Sequence, residues 1–168
     1  MMNDRVSIIM PTYKCGCFIT ESIKSVQAQT YQNWELIVVD DCSGDGTIGI
    51  VQDIQKEDHR IHVFSNAQKC GAAVSRNVAL KEAKGRWIAF LDSDDLWEPT
   101  KLEKQIKFME ENGYAFSYHE YKEIDEKDKE LGIYVSGKEH VSKFDMFACC
   151  WPGCLSVMYD ADKIGLIQ

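Results

Sequence analysis

No apolar run in this 168-residue chain comes near the roughly 18 residues that a membrane-spanning helix needs. The opening "MMNDRVSIIM" lacks the layout of a secretory leader: its apolar part is short and no small-residue cleavage site follows. The expectation is a cytoplasmic protein. Positive charge is also scarce. The formal net charge is −8, which argues against a nucleic-acid partner, because such partners call for a basic face. An anionic ligand would therefore need a local basic residue or a metal ion. Seven cysteines are present, yet no C-x-x-C pair occurs and no histidine stands at zinc-finger spacing. Reduced thiols are the simpler reading, and they receive no role. G-x-G-x-x-G is missing after the first apolar run, which excludes the usual nicotinamide or flavin fold, and the Walker pattern is missing too. Internal repeats, low-complexity tracts and linkers are lacking, so one domain is expected over residues 1–168, with an αβ part to 112 and a second part from 113.

What the chain does contain is a rhythm. "VSIIM" (6–10), "WELIVVD" (34–40), "IHVFSN" (61–66) and "WIAFLD" (87–92) read as buried strands. Between them lie helical patterns: Ile19, Ile23 and Val26 on one face, then Ile50 and Ile54 behind Thr47 as N-cap. A third helix is closed by Gly85, and a fourth has Leu102, Ile106 and Met109 on one stripe, Pro99 near its start and Gly113 past its end. Strand and helix alternating four times with short links predicts an α/β fold with a mostly parallel sheet covered on both faces. After Gly113 the pattern changes. "YAFSYHEYKEI" (114–124) reads as one long strand, "DEKDKELG" as a charged turn and "IYVSG" as the returning strand of a hairpin. "HVSKFDMFACC" (140–150) reads as a helix and "LSVMY" (155–159) as a last strand.

In open parallel sheets, ligands bind beyond the carboxyl ends of the strands where the strand order reverses. A 3-2-1-4 order sets "PTY" (11–13) against "DSDD" (92–95), with Asp40 and Asp41 beside them. Three carboxylates within four positions repel one another unless they are solvated or hold a cation. Oxygen-only ligands favour Mg²⁺ or Mn²⁺, which would also let an acidic chain hold a diphosphate.

"VSIIMPTYK", "WELIVVDDCSGDGT", "GAAVSRNVAL" and "GRWIAFLDSDDLWEPTKLEKQ" together resemble the nucleotide-binding half of the family 2 glycosyltransferases, from about residue 6 to 105. The resemblance implies a Rossmann-like GT-A fold and metal-dependent transfer, with inversion, from a UDP-sugar to a glycan or lipid-linked acceptor, as in bacterial polysaccharide synthesis. It places Pro11, Thr12, Tyr13, Asp41, Arg76, Asp92 and Ser93 at the nucleotide, with Asp41 accepting from the uracil imide N–H. It makes Asp94, with Asp92, the ligand of Mn²⁺ or Mg²⁺. Asp95 either joins them or caps the next helix. Peripheral contact with the inner membrane face and a homo-oligomer are compatible with it.

The family's general base is an aspartate well beyond the hairpin. Here "LSVMYDADKIG" is similar to the stretch that precedes it, which leaves Asp160 and Asp162 as candidates within the chain, with Asp145 and Glu139 no better. The alternative reading is a catalytically silent nucleotide-sugar-binding module. A haloacid-dehalogenase-type phosphotransferase and a receiver-like switch both fail, because each carries its acidic motif after the first strand.

Overall fold

In the computed structural model, which describes residues 4–126, 129–142, 145 and 152–167, the four βα units are present in sequence order. They are β1 (Val6–Thr12), α1 (Ile19–Gln27), β2 (Trp34–Asp40), α2 (Thr47–Glu57), β3 (Ile61–Ser65), α3 (Ala72–Glu82), β4 (Trp87–Phe90) and α4 (Lys101–Asn112). Then come β5 (Phe116–Ser117), β6 (Tyr121–Ile124), β7 (Glu130–Val135), a 3₁₀ turn (Cys154–Ser156), β8 (Met158–Asp160) and the four-residue α5 (Ala161–Ile164). The main sheet has the order β3-β2-β1-β4-β8-β5. Its first four strands are parallel, while β8 runs antiparallel to both β4 and β5. The order reverses between β1 and β4, so the crevice opens between their carboxyl ends.

Alternation along the strands divides the core. Val6, Ile8 and Met10 point to the face covered by α1, α2 and α4, where Ile19, Ile23, Val26, Val51, Leu102, Ile106 and Met109 pack. Ile9, Ile37, Val39 and Ile88 point to α3, with Ala79, Leu80 and Tyr159. Every residue of β1 and β2 is buried, as strands covered on both faces must be.

The structure departs from the sequence reading at five places, the first being the strand read over 155–159, which is a 3₁₀ turn (Cys154–Ser156) followed by β8 (Met158–Asp160). The span read as one strand over 114–124 is two short strands in different sheets: Ser117 pairs with Met158, whereas Tyr121 pairs with Val135 in a separate β6–β7 hairpin. Thr47 is the first residue of α2, not its cap. Gly46 holds the cap position at φ 93°, and the Asp45 carboxylate accepts from both Thr47 N–H (3.0 Å) and Thr47 O–H (2.6 Å). Gly85 does not close α3, whose C-cap is Ala83. It is a point of close approach: a Cβ there would stand 2.5 Å from the Arg5 carbonyl and 2.7 Å from the Ser7 nitrogen. Asp95 does not cap α4, where Thr100 is the N-cap. Most of the helix read over 140–150 falls outside the described residues.

Candidate functional site

The carboxyl ends of β1, β2 and β4 and the start of α3 enclose a hollow of about 180 Å³. β1 brings Pro11 and Thr12, with Tyr13 just beyond; β2 leads into Asp41; α3 adds Ala72, Ser75 and Arg76; the loop after β4 adds Asp92, Ser93 and Asp94. All eight residues expected at the nucleotide or metal therefore line one hollow, although they come from four distant segments.

Two turns hold its walls. Asp40 is buried and binds Ser43, from backbone N–H (3.0 Å) and hydroxyl alike, and the Ser43 hydroxyl then accepts from Lys14 N–H at 2.9 Å. That cross-link ties the turn after β2 to the turn after β1. Lys14 and Cys42 sit at φ 54° and 61°, the left-handed conformation that ordinary side chains adopt at a cost. Asp41 is the hub. Its Oδ1 accepts from Asn66 Nδ2 and Cys70 N–H, both at 2.8 Å, and its Oδ2 from Gly71 N–H at 2.8 Å. Burial pushes its carboxyl up, but these bonds and the Lys69 charge outweigh that and hold it below the usual range. Three of its acceptor positions are spent on the β3–α3 loop, which leaves one for a ligand.

The β4 loop carries the charges. Arg76 donates to Asp92 at 2.5 Å; burial of the guanidinium lowers its pKa, but the Asp92 charge and hydrogen bond, with Cys154, together outweigh that and raise it. Asp92 gives one oxygen, Oδ1, to Arg76, while Asp94 is exposed, so Asp94 is the more open of the two carboxylates expected at a metal. Asp95 is pushed up to about 6, first by burial and then by the charges of Asp92 and Asp94. Among the described residues no three His, Cys, Asp or Glu side chains converge on one point. A Mg²⁺-type ion suits that arrangement, since it keeps waters and takes one or two carboxylates plus substrate phosphates.

The raised Asp95 has a measurable consequence. A carboxyl whose pKa rises from 3.8 to about 6 on folding binds more protons folded than unfolded. Stability should therefore fall as pH rises through that window and level off above it. Asp95→Asn is expected to melt higher than the parent at pH 7 without metal and equally near pH 3, by scanning calorimetry. Mn²⁺ should narrow the gap at pH 7 without closing it, because the cation relieves the repulsion from Asp92 and Asp94 but leaves the larger cost of burial.

Sequence reasoning missed Lys69, whose ammonium stands 3.8 Å from the Tyr13 ring centroid, with Lys14 at 5.4 Å. These two cations and Arg76 are the local basic residues that an acidic chain needs at an anion site. Nothing in the local pattern marks Lys69, since its place over Tyr13 depends on how β1 and the β3–α3 loop meet. Pro99 lies at the entry to α4, as expected, and Trp97 stands beside it. Trp97 donates to the Leu155 carbonyl (3.0 Å), and the Pro99 carbonyl accepts from Thr30 N–H (2.8 Å).

The two candidate bases stand elsewhere. Asp160 pairs in register with Trp87 at the amino end of β4, the far end of the sheet from the hollow. It is fully buried and takes Arg86 Nε (3.1 Å) and Nη2 (2.9 Å) on one oxygen while its other oxygen caps α5. Asp162 lies exposed in the first turn of α5, at the same far end. Of the other two, Asp145 is bound to Lys138 and Ser142.

A family model described as "Glycosyl transferase family 2" matches residues 7–151. The chain is 44% identical over 97% of its length to the putative teichuronic acid biosynthesis glycosyltransferase TuaG of Bacillus subtilis, and spans 65% of that protein. It is 45% identical over 92% of its length to the Escherichia coli UDP-Glc:alpha-D-GlcNAc-diphosphoundecaprenol beta-1,3-glucosyltransferase WfgD, and spans 60% of it. Among solved structures, S. aureus TarS 1–349 in complex with UDP superposes with a TM-score of 0.63 at 34% identity, over 67% of this chain and 34% of that one. The mannosyltransferase PcManGT from Pyrobaculum calidifontis superposes at 0.73 over 98% of this chain and 47% of that one; at 19% identity it shows the fold alone.

Proposed function

The chain belongs to glycosyl transferase family 2 and has its GT-A fold, and from that premise we propose that it holds a UDP-sugar in the hollow between β1, β2, α3 and the β4 loop, for transfer of the sugar to an acceptor hydroxyl. The observation that carries the reading is the convergence of Pro11, Thr12, Tyr13, Asp41, Arg76, Asp92, Ser93 and Asp94 on one hollow. A hollow of 180 Å³ takes a base and part of a ribose. The remaining acceptor position of Asp41 suits the imide N–H of uracil, which cytosine lacks. The unpartnered hydroxyl of buried Thr12 is a further polar atom on the wall. Lys69, Lys14 and Arg76 offer positive charge to the diphosphate.

A bound Mn²⁺ or Mg²⁺ would supply charge neutralisation to the departing diphosphate, and Asp94 is the residue to hold it. Transfer forms the bond from the acceptor oxygen to the anomeric carbon as the bond to the diphosphate breaks on the opposite face, with inversion. The hydroxyl proton goes to a carboxylate base, and neither Asp160 nor Asp162 is placed for that role. The name of WfgD specifies an acceptor on a lipid diphosphate, so an acceptor of that class, presented at a membrane face, is the one we propose.

Calorimetric titration tests the nucleotide. UDP with Mn²⁺ should bind tighter than CDP, GDP or ADP, and Asp41→Asn should erode the preference for UDP over CDP. Tighter binding of an adenine nucleotide would overturn the pocket assignment. Binding of UDP-sugar with neither transfer nor hydrolysis would favour the silent-module reading.

A further inference from the structure

The loop from Leu91 to Thr100 carries the acidic cluster and has no strand or helix of its own. Helix α1 and the residues just past it hold this loop at successive points. At the far end, Gln29 Nε2 donates to the Glu98 carbonyl (2.9 Å), Gln29 Oε1 accepts from Leu102 N–H (3.1 Å), and Thr30 N–H donates to the Pro99 carbonyl (2.8 Å). In the middle, Ser25 Oγ accepts from Trp97 N–H at 3.2 Å. At the near end, Ser22 Oγ donates to the Ser93 carbonyl at 2.9 Å. Ser22 is fully buried, and Ser93 is buried with it. A second acceptor, the Phe18 carbonyl, lies 3.5 Å from the same hydroxyl, so the single proton goes to the nearer oxygen, that of Ser93.

One peptide plane joins that bond to Asp94. The Asp92 carbonyl accepts from Asp95 N–H at 3.1 Å, which closes a turn with Ser93 and Asp94 at its centre. The carbonyl of Ser93 and the nitrogen and Cα of Asp94 belong to one planar unit, the middle peptide of that turn. Anchoring the carbonyl therefore fixes where the Asp94 Cα stands. An aspartate stem is short, so a shift of the Cα passes to the carboxylate. The carboxylates of Asp41 and Asp92 are held by side-chain hydrogen bonds of their own, whereas that of Asp94 is exposed and takes its place from the backbone. A Mg²⁺-type ion is sensitive to such placement, because it demands near-ideal geometry at about 2.1 Å.

We propose that Ser22 is a positioning residue for the metal: by holding the Ser93 carbonyl it aims the Asp94 carboxylate at an ion beside the diphosphate. The inference rests on the donor reading above, in which Asp94 holds Mn²⁺ or Mg²⁺, and deepens it. Ser25 and Gln29 grip the loop beyond Asp95 and set its path into α4 instead.

The test is titration of Mn²⁺ into the full chain with saturating UDP, free Mn²⁺ being read from its electron paramagnetic resonance signal. Calorimetry of UDP with chelator and thermal unfolding accompany it. Ser22→Ala and Ser25→Ala form a matched pair, since each leaves one backbone group of the same loop without its side-chain partner. Both should melt below the parent. Ser22→Ala should bind Mn²⁺ about fivefold more weakly, the weight of one hydrogen bond, and bind UDP with chelator as the parent does. Ser25→Ala should keep the parent's Mn²⁺ affinity. Should Ser22→Ala fail to fold, Ser22→Cys, similar in shape but a weak donor, carries the same expectation. Unchanged Mn²⁺ affinity in the Ser22 variant would overturn the proposal, and the donor reading would stand. Equal losses of Mn²⁺ affinity in the two variants would also overturn it, since they would mark a general loosening of the loop. So would a loss of UDP affinity with chelator in Ser22→Ala, because the hydroxyl would then serve the whole hollow. A parent that binds no Mn²⁺ in the presence of UDP removes the metal from the donor reading, and this role with it.

Discussion

Replacing Asp160 with alanine is expected to cost about 3–5 kcal/mol of folding stability, the usual penalty for breaking a buried ion pair from one side. Asp160 is fully buried, and Arg86 bonds it through two nitrogens while also holding Asp4 at 3.0 Å and lying 4.2 Å from the Trp87 ring centroid. Without the carboxylate, the guanidinium stays in a largely buried place with Asp4 and Glu110, both half exposed, as its remaining counter-charges among the described residues. The short helix α5 loses its cap as well, because Asp160 accepts from Asp162 N–H. Natural domains have only about 5–15 kcal/mol in hand, so the alanine variant sits near the limit of folding. Asp160→Asn, which keeps the shape, is the gentler probe. Urea denaturation should rank parent, asparagine and alanine in that order, with UDP affinity of the folded fraction unchanged. An alanine variant as stable as the parent but deficient in turnover would return Asp160 to the role of base.

The second large effect concerns the β4 loop. For the parent with Mn²⁺, UDP at a hundredfold excess over its dissociation constant should add about 2.7 kcal/mol of stability. Asp94→Ala should lose the increment due to Mn²⁺ and keep what UDP gives alone, since the groups proposed for the base, Asp41 and Tyr13, are untouched. Asp92→Ala should behave differently. It releases Arg76, now bound at 2.5 Å, and should weaken UDP binding with and without metal. Asp162→Ala, exposed at the far end of the sheet, is the silent control. Thermal unfolding of the four proteins against UDP, with Mn²⁺ or with chelator, separates these outcomes.

The parallel half of the fold was legible because its signals are local. Val6 to Met10 and Trp34 to Val39 are apolar runs broken only by Ser7 and Glu35, which a doubly covered sheet buries, and Gly113 ends α4 at φ 70° as a glycine past a helix should. The second half was less legible because its signals are about partners. Phe116, Ser117 and Tyr121 fit the same alternating pattern whether they pair with β8 or with β7, and sequence does not state which edge is vacant. Gly85 misled for a related reason: glycine after a helix suggests a cap, whereas here it clears the backbone of β1. At the site, the family resemblance names Asp41, Arg76 and Asp94, and the fold brings all three to one hollow. That Asp41 is mostly occupied by Asn66, Cys70 and Gly71, and that Asp92 is tied to Arg76, required the tertiary structure.

In the proposed donor complex, a divalent ion links Asp94 to the diphosphate of a uridine nucleotide lying between Tyr13, Asp41 and Arg76. Crystals grown with UDP and Mn²⁺, measured at the manganese absorption edge, test it most directly. An anomalous peak within bonding distance of both an Asp94 oxygen and diphosphate oxygens, with the uracil beside Asp41, is the predicted result. A peak away from Asp94, or UDP bound in full with its diphosphate on Lys69, Lys14 and Arg76 and no ion beside it, would contradict it.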